Sequence, residues 1–165
     1  MKPFRARRGQ LVARLDRAEA GIVGLLLDQL EQLLAADAPD IADDPVLARL
    51  FPAGHRSDRE LAEDYRELTE ETLRGGKADD LATVRATLPA DGGDVRLDLD
   101  QAAAWLRTSN DLRLALGTRL GISEETEPPE EVADEEDQQL AVYYWLTAVQ
   151  GSLVDALVAS RSGRR

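Results

Sequence analysis

The chain has 165 residues, a single histidine, no cysteine and a formal net charge of −12. This length suits one domain with its own hydrophobic core, so we expect a single domain over residues 1–165. The composition excludes disulfides and thiolate ligands within the chain and argues against histidine-based metal sites, and the negative charge opposes binding to nucleic acid.

The longest apolar stretch gives no sign of export or of membrane insertion. It runs from Ala20 to Leu27 and is interrupted by Asp28, whereas a membrane span needs about 18 apolar residues. The basic start of the chain is not followed directly by an apolar run, as a secretory signal would be. We therefore expect a cytoplasmic protein without a membrane partner.

The first half of the chain predicts a hairpin and three helical segments. Residues 4–15 alternate around Arg8-Gly9, which favours a β-hairpin. Asp16 and Glu19 have the spacing of a capping box, and the following helix should bury Ala18, Ile22, Leu25, Leu26, Leu30 and Leu33 and end near Ala36. Asp44-Pro45 starts a short helix that stops at Phe51.

A longer helical pattern begins at Ser57, after the loop that holds His55. A lone histidine in a loop is usually solvated, so we assign His55 no ligand role. The pattern should place Leu61, Tyr65, Leu68 and Thr72 on one face. Two adjacent glycines cost about 2 kcal/mol in a helix interior, so Gly75-Gly76 predicts a kink or break.

The second half predicts one strand, two helices and an acidic connection. Residues 94–99 alternate as a strand that can pair with the hairpin, and Asp100 should cap a helix ending before Gly121. A flexible acidic linker is expected at about 122–133, then a helix from about 133 to 160 and a frayed tail at 161–165. The fold class is thus mainly α (α+β), with about five helices around one core and a small two- or three-stranded antiparallel sheet.

Motifs for catalysis, metal binding or nucleotide binding are missing from the sequence. The segment 116–123 is similar to half of a helix-turn-helix, but the acidic, Pro-containing residues that follow it would not read DNA. The carboxylates of 124–137 lack the spacing of a calcium loop, and Gly75-Gly76-Lys77 lacks the rest of a phosphate loop. We expect no enzyme activity, no cofactor, no metal, and weak or no direct DNA binding.

The most informative pattern lies in the helix before Gly121. Leu106, Asn110, Arg113 and Gly117 share one face, and polar groups in an apolar stripe need partners. One interpretation is a buried polar clamp, with Asp155 or Gln150 of the last helix as partner. The other is a surface that binds a partner protein.

The same helix carries a family resemblance. Trp105-Leu106 and residues 110–120 resemble the hallmark of an actinobacterial family of small acidic proteins, the AosR-type family, known from an oxidative-stress transcriptional regulator. Residues 4–9, 44–50 and 143–146 extend the resemblance along the chain. The candidate interaction or clamp residues are Trp105, Asn110, Arg113, Arg119 and Asp155.

The resemblance implies regulation through contact with a stress sigma factor, with cysteines as redox sensors. A chain without cysteine cannot use a thiol switch, but regulation by protein contact remains open to it. The first hypothesis is therefore a non-enzymatic regulatory or adaptor protein that binds a sigma factor or another RNA polymerase component. The alternative is a structural homo-oligomer, such as a homodimer, with the last helix as interface.

Overall fold

A computed structural model describes residues 1–35, 44–51 and 59–163, with only the backbone of residues 59–68. The predictions for His55, for the helix start at Ser57 and for the stripe through Leu61, Tyr65 and Leu68 lie outside the described residues or side chains. The elements are β1 (Lys2–Arg7), β2 (Gln10–Leu15), α1 (Arg17–Leu34), α2 (Pro45–Leu50), α3 (Arg59–Thr87), β3 (Gly93–Leu97), α4 (Leu99–Leu120) and α5 (Glu135–Ser162).

The three strands form one antiparallel sheet with β2 in the centre. Arg8 and Gly9 make the hairpin turn with φ angles of 50° and 81°, the left-handed conformation that tight hairpins require. The inward positions are buried and apolar: Phe4, Leu11, Ala13, Leu15, Val95 and Leu97. The predicted mainly α fold with a small antiparallel sheet is confirmed.

The boundary between β3 and α4 lies two residues earlier than predicted. Asp98, and not Asp100, caps the helix: its carboxylate accepts from the Gln101 backbone at 2.7 Å, and the Gln101 side chain accepts from the Asp98 backbone at 2.9 Å. Asp100 lies in the first turn. A reciprocal capping box satisfies two backbone donors, so it defines the start better than a single acidic residue does.

Gly92 provides a test of the turn before β3. Its φ is +81°, and a Cβ there would lie 2.7 Å from backbone atoms of Asp16 and Arg17. Gly92→Ala should therefore lower the free energy of unfolding by about 2–3 kcal/mol, measured by urea denaturation. Gly24→Ala is the control: Gly24 is helical with open space around it, so this change should be neutral or stabilising. Equal stability of the two variants would contradict the prediction.

The buried face of helix α1 overlaps only in part with the predicted one: Leu30 is buried, and Leu26 and Leu33 are half-buried against the core. The buried residues are Ala20, Val23, Leu27, Leu30 and Leu34, while Leu25 of the predicted stripe is 60% exposed. The helix contains more leucines than one face can bury, and contacts with α3, α4 and β2 decide which ones are covered. The capping box at Asp16 is present as predicted, and the last helical residue is Leu34.

Of the kink or break predicted at Gly75-Gly76, the break is wrong, because α3 is one continuous helix of 29 residues, and the kink stays a prediction. Both sides of the glycine pair are held by neighbours. Arg74 donates to the Leu34 carbonyl and pairs with Glu70, and Lys77 pairs with Asp111 of α4. These contacts offset the low helix propensity of glycine.

The last helix, α5, begins at Glu135, with Asp134 as its N-cap, and ends at Ser162. Leu146, Val149, Leu153 and Ala156 are buried on its inner face. In the preceding acidic segment, the Thr126 carbonyl accepts a hydrogen bond from the Tyr144 hydroxyl at 2.7 Å. The flexibility of this segment and the fraying of the tail stay predictions.

None of the helices in the described part of the chain is both long and apolar enough to cross a bilayer.

Candidate functional site on the fourth helix

Helix α4, which carries the hallmark residues, lies at the centre of the helical layer. It contacts α2, α3 and α5, and nine of its residues are buried, among them the polar Thr108, Ser109 and Asp111. Gly117 faces α5 closely, since a Cβ at this position would come within 3.0 Å of the Tyr143 ring. Polar as well as apolar residues of α4 are thus enclosed by the fold.

Trp105 joins α4 to α3 and to the sheet. It is 2% exposed, and its indole N–H donates to the Thr87 hydroxyl at 2.7 Å. Its ring meets Phe4 of β1 edge to face, with centroids 5.6 Å apart. A buried indole needs such a hydrogen-bond partner, so these contacts give Trp105 a structural role.

A largely buried ion pair crosses between α3 and α4. Lys77 Nζ lies 2.8 and 2.9 Å from the two Asp111 carboxylate oxygens, and the side chains are only 18% and 11% exposed. Burial raises the pKa of the Asp111 carboxyl above its ordinary value, and Lys77 opposes that rise. Lys77 thus provides the contact that favours the ionised form of Asp111.

One helical turn away, Arg107 pairs with Asp80. Two guanidinium nitrogens donate to the two carboxylate oxygens at 2.7 and 2.8 Å, a bidentate geometry. This hydrogen bonding raises the pKa of Arg107, although the side chain is 59% exposed. Lys77 and Asp80 of α3 therefore form ion pairs with Asp111 and Arg107 of α4, respectively.

Neither of these ion pairs is predicted by the sequence patterns. Lys77 follows Gly75-Gly76 in an incomplete phosphate loop, and Asp111 is one residue of the hallmark segment. With 32 acidic residues in the chain, no local signal distinguishes these two carboxylates. The one signal in the sequence is the matched spacing of opposite charges: Lys77 and Asp80 are three residues apart on α3, and Arg107 and Asp111 are four residues apart on α4.

Asn110 of the predicted stripe contacts α5. The Gln150 side-chain amide donates to Asn110 Oδ1 at 3.3 Å, so one of the two named partners does contact this face. Arg113 Nε and Gln150 Oε1 are both buried atoms without a hydrogen-bond partner. The contact between Asn110 and α5 is thus a long, weak amide hydrogen bond.

The structure does not bring the other two candidates into this cluster. Asp155 is exposed, and it forms no ion pair with Arg113 among the described residues. Arg119 is exposed near the end of α4, beside a small cleft that it lines together with Leu26, Leu33 and Leu116. Whether any of these residues contacts a partner stays a prediction.

These contacts give different expectations for Arg113 and Gln150. Arg113→Met keeps an apolar stem and removes an unpaired buried donor, so the free energy of unfolding should change by less than about 1 kcal/mol. Gln150→Leu leaves Asn110 Oδ1 without its donor and should cost about 1–3 kcal/mol. Urea denaturation of both variants checks this. If Arg113→Met instead lowered the free energy of unfolding by about 3 kcal/mol or more, Arg113 would be a buried clamp with a charged partner.

The chemistry available around α4 is that of packing and ion pairing. In residues 1–35, 44–51 and 69–163 no group of three or more histidine or acidic side chains is placed to hold a metal ion. The cavity that Trp105 and Ser109 help to line has a volume of only about 10 Å³. Trp105, Arg107, Asn110 and Asp111 of α4 form hydrogen bonds or ion pairs with neighbouring helices.

Comparisons with known proteins agree with the resemblance of the hallmark helix. The model of the domain of unknown function DUF2017 matches residues 1–157. The proteins named oxidative stress regulator AosR of Mycobacterium tuberculosis and Mycobacterium bovis are each 34% identical over 169 residues, covering 93% of this chain and 76% of the relative. The AosR protein of Mycobacterium leprae is 30% identical, covering 90% and 79%. No solved structure matches the chain significantly.

The match spans every described element from β1 to most of α5. It therefore includes the sheet, the two ion pairs of α3 and α4, and Trp105. The chain belongs to the DUF2017 family, the family of the AosR proteins.

Proposed function

We propose that this protein is a non-enzymatic regulator of stress-responsive transcription that acts by contact with a sigma factor or another component of RNA polymerase. The observation that carries the proposal is similarity over 93% of the chain to relatives named oxidative stress regulators. The chain covers 76% of those relatives, so the comparison involves most of both proteins.

The mode of regulation cannot be a thiol switch in this chain, because it contains no cysteine. Disulfide formation and metal release from thiolates both need that residue. A regulator of this kind is expected to respond through its abundance or through its partner. Contact with the partner then carries the regulatory effect.

Affinity capture tests the proposal. Tagged protein is incubated with an actinobacterial lysate, and captured proteins are identified by mass spectrometry. Enrichment of a sigma factor or an RNA polymerase subunit over an unrelated acidic bait supports the proposal. Absence of both, with the bait shown to be folded, counts against it.

A structural homo-oligomer is the second candidate, and the outer face of α5 favours it. Val154 and Val158, one turn apart, are 42% and 60% exposed, a pattern seen at helix interfaces. Light scattering at high micromolar concentration should then show a dimer, and Val154→Ser with Val158→Ser should make it monomeric. A monomeric wild-type protein removes this candidate.

A further inference from the structure

The outer face of the sheet concentrates positive charge in a strongly acidic chain. The register places Lys2 opposite Arg14, and Arg14 opposite Asp94; Arg5 lies opposite Val12, and Val12 opposite Arg96. Residues paired across neighbouring strands project to the same face. Arg7, opposite Gln10, extends this face toward the hairpin turn.

Five cations and one carboxylate give this outer face a formal charge of +4. Because the whole chain has a formal charge of −12, the rest of the chain carries −16. The basic residues are Lys2, Arg5, Arg7, Arg14 and Arg96. We call this surface the basic sheet face.

Part of this charge is already paired within the sheet. Asp94 accepts from Arg14 at 3.3 Å and from Arg96 at 3.2 Å. Lys2, Arg5 and Arg7 of β1 are exposed and form no ion pair within the part of the chain that the structure describes. The unpaired cations thus lie along one strand.

The basic sheet face is also concave. It holds a groove of about 550 Å³ whose lining includes the five cations together with Pro3, Ala6 and Val12. Strands of five or six residues are about 17–20 Å long, so the groove suits a short extended segment. The mixture of guanidinium groups and small apolar side chains suits a ligand that carries both carboxylates and apolar groups.

We propose that the basic sheet face binds an extended acidic segment of a partner protein. This inference rests on the proposed function in that it names the surface and the partner chemistry for the same regulatory contact. Carboxylates fit the groove because guanidinium groups bind them in a bidentate manner. The apolar side chains of such a segment would lie against Val12 and Pro3.

Charge distribution favours a protein segment over nucleic acid. The Debye length is about 8 Å at physiological salt, so a duplex that reached beyond the sheet would be repelled by the rest of the chain, whose formal charge is −16. A short acidic segment ends before it reaches that region. The basic sheet face is therefore large enough for a peptide and too small for a stretch of DNA.

Fluorescence anisotropy of labelled probes tests the proposal directly. The probes are an alternating Glu-Val peptide, an alternating Lys-Val peptide and a duplex DNA oligonucleotide, each titrated with full-length protein. The Glu-Val peptide should bind with an affinity that falls as salt is raised, and the other two probes should bind at least about tenfold more weakly. Absence of binding by the Glu-Val peptide, or tighter binding of the DNA, would overturn the proposal.

Two charge-matched double variants locate the site. Arg5→Glu with Arg7→Glu should weaken Glu-Val binding by at least about tenfold, whereas Arg49→Glu with Arg161→Glu, on exposed positions of α2 and α5, should change it less than about twofold. Arg5→Gln with Arg7→Gln gives the same answer with less risk to folding, which circular dichroism checks. Equal weakening by both double variants would overturn the assignment, because it would reflect net charge alone.

The lysate capture described above separates the two proposals. If wild type captures polymerase components and Arg5→Gln with Arg7→Gln captures them equally well, the surface assignment fails and the regulatory function stands. If wild type binds the Glu-Val peptide but captures no polymerase component, the regulatory function fails and the acidic-segment site stands.

Discussion

Trp105→Ala is expected to lower the free energy of unfolding by about 4 kcal/mol, the range for removing a large buried aromatic side chain. Trp105 is 2% exposed and packs edge to face on Phe4 of β1. Its removal opens a cavity where α3, α4 and the sheet meet. A total stability of about 5–15 kcal/mol is usual for such domains, so the melting temperature should fall steeply.

Trp105→Phe separates the hydrogen bond from the packing. It keeps an aromatic ring and loses the donor to the Thr87 hydroxyl, which still donates to the carbonyls of Thr83 and Val84. The expected loss is therefore about 1–2 kcal/mol. Urea denaturation followed by circular dichroism measures both variants. If Trp105→Ala lost less than about 2 kcal/mol, the buried packing assigned to this side chain would be wrong.

Lys77→Met is expected to cost about 3 kcal/mol at neutral pH, because it leaves the Asp111 carboxylate largely buried without its cation. The methionine side chain keeps most of the volume of the lysine stem, so lost charge and not lost packing dominates. Arg85→Met is the control on an exposed ion pair. Arg85 is 41% exposed, its partners Asp28 and Glu31 are 58% and 65% exposed, and breaking an exposed pair costs about 0.5 kcal/mol.

The loss of unfolding free energy caused by Lys77→Met should become smaller as the pH is lowered. Burial raises the folded-state pKa of Asp111 above its ordinary value of 3.8, and removing Lys77 raises it further. Between the unfolded and folded pKa values the folded state binds more protons, so stability rises as pH falls. Wild type and variant are compared at the same pH, so the difference in stability between the two proteins reports on the Lys77–Asp111 pair. A loss that stays constant from neutral pH to about pH 4 would contradict this.

The sequence by itself determined the element types and most of their ends. Asp16 with Glu19, Asp44 with Pro45, and Gly121 mark helix ends in the structure as predicted. The alternation of β1, β2 and β3 predicted a sheet that the structure confirms. These signals are local, since a cap or an alternating strand depends on a few neighbouring residues, and the sequence displays them directly.

Only the tertiary structure decided which faces are buried and which charges pair. Leu25 is exposed although it belongs to a helical stripe of leucines. Helix α3 continues through Gly75-Gly76 with Arg74 and Lys77 held by other helices. Asp111 and Asp80 form ion pairs with residues that are 34 and 27 positions away in the sequence. Such outcomes depend on how helices pack, and packing energies of several kcal/mol override the smaller local preferences that a sequence displays.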